Sequence, residues 1–120
     1  MISEADAKKF ADVEFDTVKS SASAEKIEAF MGQEISQVDV VDIPGVGPAL
    51  AAGLKEKGIT TAAQLLGCFL LHVKADSTTK DVCDTFVRFC KSVNNRANPH
   101  TVTFAIANYA DHKGLFKYEI

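Results

Sequence analysis

The 120 residues are enough for one domain and too few for two of ordinary size. With 47% hydrophobic residues the chain can bury a core, yet no apolar run reaches the length of a bilayer span, and the acidic start is not expected to be a secretory signal. Three cysteines without a CxxC motif indicate a reducing compartment rather than a disulfide framework.

The formal net charge is −3, an unfavourable value for a nucleic-acid binder. Residues 1–20 carry five acidic and three basic side chains, so the remaining chain is close to neutral. A nearly neutral body binds nucleic acid only if its cations are gathered on one face, and a sequence does not show this directly.

The first predicted element is a weakly amphipathic helix over residues 4–19, with Ser3 as its N-cap. Its apolar face is ragged, so a mobile arm is the alternative. We assign residues 1–22 to this N-terminal extension. After a serine-rich break, Ser23 is expected to cap a helix over residues 24–31.

The next stretch predicts a helix-hairpin-helix motif at about residues 39–57. Asp39 is expected to cap a short helix through Asp42, and Ile43-Pro44-Gly45-Val46-Gly47 to form a tight hairpin. Pro48 suits the first position of the following helix, which runs to Lys57. Gly53 inside that helix costs about 1 kcal/mol relative to Ala and is expected to mark a close contact.

The chemistry of this hairpin suggests an anion site. Gly45 and Gly47 can take positive φ, which lets another molecule approach the backbone. The amides of Ala49 and Leu50 have no partner inside their helix and lie at the positive end of its dipole. We therefore expect the hairpin to hold the phosphate backbone of double-stranded DNA without reading its sequence. Lys26 is either a further phosphate contact or a bystander.

Thr61 is expected to cap a helix over residues 62–73 that is apolar nearly all round, which predicts burial on most sides. A domain this small has difficulty covering such a helix alone. The pattern therefore predicts a homodimer interface through this helix and the next. A monomer with this segment as its central helix is the alternative.

Two more helices complete the predicted fold. One runs over residues 79–92, and the last begins with Asn98 as cap and Pro99 at the first position and ends at Gly114. The prediction is an all-α, compact five-helix domain over residues 23–120, preceded by the helical extension.

No catalytic or metal-binding pattern is visible. Cys68 and His72 have a spacing that can share a metal, but no further ligand lies nearby in sequence, so a core cysteine is expected. Cys83 and Cys90 are also expected in the core, and His100 and His112 in solvent. We predict no enzyme, no metal and no cofactor.

The segment VVDIPGVGPALAAGLKEKGITTAAQLLGCFL, Val40 to Leu70, resembles the helix-hairpin-helix and following helix of the barrier-to-autointegration factor family. The similarity runs without gaps from about Lys26 to Leu71 and continues more loosely after Lys74. Positions that carry the same residue as the family are Phe30, Val40, Gly45, Gly47, Leu50, Leu54, Gly58, Leu66, Gly67, Phe69 and Leu70. The hairpin alone occurs in many DNA-repair domains, whereas the hairpin followed by LLGCFL is specific.

The resemblance implies a helical homodimer in the nucleus, with the cytoplasm as a further location, that binds duplex DNA non-specifically and bridges two duplexes. It also implies roles in chromatin and nuclear-envelope assembly, with LEM-domain and lamin-type partners and no membrane insertion. The DNA contacts carried over are Lys26, Gly45, Val46, Gly47, Ala49, Leu50 and Arg96. The dimer and partner surface carried over comprises Leu66, Gly67, Leu71 and Val82.

One departure from the family weakens the expected DNA contact. Ala52 and Gly53 stand where the family has two lysines, and Lys55 and Lys57 lie about one turn further on. Two alternatives remain open: a paralogue with weak or no DNA binding that acts as a LEM-domain-binding or dimerisation module, and a DNA lyase or nuclease subunit. Size and the missing acid or base disfavour the enzyme.

Two further expectations follow from the resemblance. Ser20, Ser21 and Ser23 roughly match a phosphorylated cluster, and a phosphate beside Lys26 would repel DNA; kinase treatment that left DNA binding unchanged would contradict this. Gly45→Glu is expected to repel phosphate while leaving the fold and the dimer largely intact.

Overall fold

The computed structural model describes residues 2–119, and within this range every element is helical. Three short 3-10 turns precede α3, and one isolated antiparallel bridge joins Asp39 to Thr61. The helices are α1 (Glu4–Lys9), α2 (Ala24–Met31), α3 (Pro48–Glu56), α4 (Ala62–Leu70), α5 (Thr79–Val93) and α6 (Pro99–His112), and the 3-10 turns are Thr17–Lys19, Ile35–Gln37 and Val40–Asp42. The predicted all-α fold is confirmed.

The helices begin where the capping residues predict. Ser23 Oγ accepts from the Lys26 amide (3.2 Å), and the side chain of Asn98 accepts from the amide of His100 (3.1 Å). Thr61 and Gln64 form a reciprocal capping box at the start of α4. Each such cap stabilises its helix by about 1 kcal/mol, because an amide without a helical partner is satisfied.

The N-terminal extension differs from the prediction of one helix over residues 4–19. It ends as a helix at Lys9, and an extended stretch then leads to the 3-10 turn Thr17–Lys19. The reason lies in α5, whose side chains take the backbone groups that a longer helix would use. Asp84 accepts from the Phe15 amide (2.8 Å), and Arg88 Nε donates to the Val13 carbonyl (2.9 Å).

Helix α4 ends at Leu70, three residues earlier than predicted, because the amides of His72 and Val73 bond three residues back in a tightened last turn. Five of its nine residues are buried within one chain. One chain therefore covers most of α4, so burial of this helix does not by itself require a second subunit, and the homodimer stays a prediction. Its exposed face is narrow and contains Gly67, next to Leu71 at the C-cap.

The core lies between α4, α5 and α6. Phe69 and Phe86 meet edge to face with ring centroids 5.2 Å apart, and Ile106 of α6 is fully buried beside this layer. Burial of each large apolar side chain contributes about 1.5–3 kcal/mol. The core anchors the hairpin as well, since Ile43 and Val46 belong to the same buried cluster.

All three cysteines are buried and free, which confirms the prediction that they belong to the core. Burial raises the pKa of Cys68 to about 11 and the pKa of Cys83 to about 12. Burial also raises the pKa of Cys90. These thiols therefore stay protonated and behave as small apolar side chains.

Between residues 2 and 119, no helix has both the length and the apolar character that crossing a bilayer requires.

Candidate nucleic-acid interface

The hairpin before α3 is closed by a hydrogen bond from the Val46 amide to the Ile43 carbonyl (3.0 Å). Gly45 has φ +89°, a conformation that L side chains rarely adopt. Gly47 has φ −90° and ψ 175°, which is extended backbone open to any residue. The hairpin therefore needs a positive φ at Gly45 alone, and not at both glycines.

The amides at the start of α3 are not capped. Gly47 is the N-cap and has no side chain to accept from them, and the first α3 amide with a backbone acceptor is that of Ala51, which donates to the Gly47 carbonyl (3.0 Å). Within the described range, the amides of Gly45, Gly47, Ala49 and Leu50 have no protein acceptor. Uncapped amides at the positive end of a helix dipole bind anions.

Gly45 also packs against the first turn of α6. A Cβ built on Gly45 would lie 2.6 Å from the Val102 amide nitrogen and 2.7 Å from the Thr101 Cβ. The expectation that Gly45→Glu leaves the fold intact is therefore wrong, since a side chain there meets backbone. At Gly47 a Cβ would meet nothing within 4 Å, so this position accepts a side chain.

Lys26 lies beside the hairpin. It is exposed in the first turn of α2 and shares a shallow surface pocket with Pro44, Gly45 and Val46. Lys26 forms no ion pair with any residue from 2 to 119. Asp42 lines the same pocket and offsets part of the charge. The structure thus brings the predicted lysine and the hairpin amides onto one surface.

Arg96 stands in the turn before α6, where its amide donates to Asn94 Oδ1 (2.9 Å). Its side chain is exposed and lines a second shallow pocket together with Lys19 and Lys91. The two pockets are distinct. They are connected by the first turn of α6, because Gly45 packs against that same turn.

Sequence reasoning did not find Lys19 or Lys91, because nothing local signals their approach to Arg96. Their proximity follows from the packing of the N-terminal extension on α6, which joins residues about 80 positions apart.

His100 is buried beside the second pocket, so the prediction that it is solvated is wrong, whereas His112 is exposed as expected. Its Nδ1 accepts from the Asp16 amide (3.1 Å). Burial lowers the pKa of His100, the ammonium of Lys19 lowers it further, the carboxylate of Asp16 raises it, and Lys91 lowers it. The neutral imidazole that results can accept this hydrogen bond.

The second helix of the hairpin region has Ala52 and Gly53 in place of the family lysines, and its exposed Lys57, which forms no ion pair with the described residues, stands at the C-cap, the opposite end from the hairpin. At Gly53 a Cβ would lie 2.6 Å from Val93 Cγ1, so the predicted close contact is confirmed and joins α3 to the end of α5. Lys55 is paired with Asp39 (3.0 Å). The cation nearest in sequence to Ala52 and Gly53 is thus already engaged by a carboxylate.

The serine cluster precedes Lys26, and two of its three hydroxyls already form contacts. Ser23 caps α2, and Ser21 Oγ lies 3.3 Å from Thr101 Oγ1. Ser20 Oγ is buried and has no partner in the described chain. Phosphorylation of these serines stays a prediction.

The surface carried over for dimer and partner binding divides into two parts. Leu66 and Val82 are 8% and 1% exposed and belong to the core of the single chain. Gly67 faces open space, and the side chain of Leu71, one turn further on, is 69% exposed. Only Gly67 and Leu71 are therefore accessible to another molecule without a rearrangement of the chain.

The all-helical fold, the uncapped amides of α3 and the unpaired Lys26 beside them fit the class of helical DNA-binding architectural proteins. A family model described as barrier to autointegration factor matches residues 21–112. The chain belongs to the barrier to autointegration factor family, as the resemblance predicted. Neither a curated protein nor a solved structure shows a significant match to it. The helix-hairpin-helix assignment stays a prediction, since a 3-10 turn and not an α-helix precedes the hairpin.

Proposed function

We propose that the protein binds double-stranded DNA non-specifically through its phosphate backbone, as a homodimer that bridges two duplexes in chromatin and at the nuclear envelope. The observation that carries the proposal is the open N-terminus of α3, whose four acceptor-free amides are Gly45, Gly47, Ala49 and Leu50. Backbone amides hold phosphate without contacting base edges, so the contact has no sequence preference.

Charge supports the same placement. Lys26, which shares a pocket with the hairpin, and Arg96, which lines a separate pocket, lack carboxylate partners in residues 2–119, whereas Lys55, Lys80 and Lys117 are paired. A body of nearly neutral charge thus keeps a free cation, Lys26, beside the hairpin. The role requires no catalytic group, and we propose that the protein is not an enzyme.

Gly47→Asp tests this proposal, with Gly47→Ala as its matched control. The aspartate suits the N-cap position, where it is more stable than Gly by only about a few tenths of a kcal/mol, while its carboxylate occupies the amides and repels phosphate. We expect folded protein with an affinity for random duplex DNA reduced by about tenfold or more. Gly47→Ala leaves the amides free and should retain affinity within about threefold.

The measurement is a fluorescence titration at several salt concentrations, with thermal unfolding as the check on the fold. Wild-type affinity in folded Gly47→Asp would contradict the site. Absence of DNA binding by the wild-type protein would instead favour the alternative function, a dimerisation or LEM-domain-binding module.

The proposed nuclear location and the LEM-domain and lamin-type partners follow from the family. The exposed Gly67 and Leu71 support a partner surface on α4. A tagged protein that is excluded from the nucleus would contradict the location.

A further inference from the structure

The described part of the N-terminal extension, residues 2–22, is held against α5 and α6 by hydrogen bonds that fix its path. Phe15 and Val13 bond to Asp84 and Arg88 through their backbone groups. Asp84 is buried and also receives Lys80 Nζ (2.6 Å), so its charge is compensated on the α5 side. Residues 1–20 of the extension lie outside the part of the chain that matches the family model.

The last part of the extension is positioned equally closely. Asp16 Oδ1 accepts from the Val18 amide (3.0 Å) and so caps the 3-10 turn that ends with Lys19. Asn98 Nδ2 donates to the Lys19 carbonyl (3.3 Å). The Ser21 amide donates to Thr101 Oγ1 (2.9 Å). Lys19 is therefore held at the start of α6 from both sides.

Three cations from three segments meet at this place. Lys19 comes from the extension, Lys91 from the last turn of α5 and Arg96 from the following turn, and all three line one shallow pocket. Lys91 Nζ donates to the Asn95 carbonyl (3.0 Å), which holds its ammonium over the turn that carries Arg96. In the described part of the chain none of the three forms an ion pair.

Two carboxylates among the described residues lie close to this cluster. Asp6 lines a neighbouring pocket together with Lys91 and with a further cation, Lys9. Asp16 acts on the neighbouring His100 with a sign opposite to that of Lys19 and Lys91. Its oxygen is occupied by the capping hydrogen bond to Val18, and it is not paired with a lysine. The cluster therefore keeps a net positive charge.

The cluster and the hairpin pack against the same turn of α6. Thr101 links the two parts, because it accepts from the Ser21 amide and packs against Gly45. The pocket beside Lys26 and the pocket of the three cations share no residue, and they lie on either side of this buried turn. A duplex backbone presents phosphates in a row, so it suits such an extended arrangement.

We infer that Lys19 and Lys91 contact backbone phosphates of the same duplex that the hairpin holds, so the extension is a working part of the DNA interface. The inference rests on the proposed function and adds two residues to it. Physically, the two ammonium groups supply the charge that is absent at Ala52 and Gly53. The extension thus supplies a phosphate contact in place of one that α3 does not provide.

The test compares Lys19→Gln with Lys19→Arg in the full chain, together with Lys91→Gln. The affinity for random duplex DNA is measured from about 50 to 200 mM salt. Each lost phosphate contact should reduce the slope of log affinity against log salt by about 0.9. We expect this loss for Lys19→Gln and Lys91→Gln, and a slope close to that of the wild type for Lys19→Arg.

Lys113→Gln is the control for lost charge. Lys113 is the C-cap of α6, about 20 Å along the helix from its start, so its substitution should leave the slope unchanged. Equal slopes for wild type and Lys19→Gln would overturn the inference; the proposed function would still stand if Gly47→Asp loses affinity. If the wild-type protein does not bind DNA, both are overturned. An equal loss in Lys113→Gln would overturn the inference alone, since overall charge would then explain the effect.

Discussion

Gly45 is the residue on which the candidate interface depends most. It turns the hairpin with φ +89°, and its missing side chain lets α6 approach the backbone. The two requirements are independent, and each excludes an L side chain. Gly47 has neither requirement, although the two glycines look equivalent in the GVG pattern.

This difference predicts effects of unequal size on stability for two matched alanine variants. Gly45→Ala should lower the free energy of unfolding by about 2–4 kcal/mol, because strain at positive φ adds to a clash with Val102 and Thr101. Gly47→Ala should change it by less than about 1 kcal/mol. Urea titration followed by circular dichroism measures both. Equal effects of the two variants would show that the hairpin does not pack on α6 as described.

At the scale of elements, the extension and α6 are joined by a hydrogen bond that depends on pH. The Asp16 amide donates to Nδ1 of His100, which must be unprotonated to accept it. His72, between Phe86 and Phe89, is a second histidine whose pKa is lowered, chiefly by burial. Both side chains favour the neutral form in the folded protein.

The stability of the fold should therefore fall on mild acidification. The folded pKa of each histidine lies below its unfolded value of 6.5, so the unfolded chain binds more protons as the pH drops below that value. Their contribution is fully present above pH 6.5 and is lost as the pH falls through the folded pKa. We expect the midpoint of thermal unfolding to decrease by a few degrees, on the order of 5 °C, between pH 7 and 5.

The control is the double variant His72→Phe and His100→Asn. Its midpoint of thermal unfolding should change less between pH 7 and 5 than that of the wild type. Hydrogen bonds to Ser36 and to Val41 lower the pKa values of Glu34 and Asp39 below the ordinary values of 4.5 and 3.8, so these carboxyls do not contribute in this pH range. A wild-type midpoint that stays constant or rises on acidification would contradict the assigned protonation states.

At the scale of the whole molecule, the described residues of one chain form a compact fold with its own buried core. Its radius of gyration is 13.0 Å, as expected for a single compact domain of this length, and most of α4 is covered internally. A second subunit is therefore not needed to bury the core. The proposed dimer would use the remaining surface at Gly67 and Leu71 and would serve the bridging of DNA.

Leu71→Glu tests this use of the surface, with Leu115→Glu as a control at another exposed leucine. The charge should prevent dimerisation, which light scattering measures as a halved mass, and weaken binding of a LEM domain. A single duplex should still bind with an unchanged salt slope, while co-precipitation of two labelled duplexes is lost. A Leu71→Glu protein that remains dimeric would place the interface elsewhere.

The sequence by itself determined the order of the helices, their capped starts and the family. These features depend on local signals: Ser23, Thr61 and Asn98 each precede a helix, and the hairpin separates the 3-10 turn Val40–Asp42 from α3. The tertiary structure alone decided the path of the extension, because its backbone bonds to α5 side chains about 70 residues away. It also decided which hairpin glycine must lack a side chain, and it gathered Lys19, Lys91 and Arg96. Contacts between distant segments leave no periodic signal in a single sequence, which is why only the folded chain reveals them.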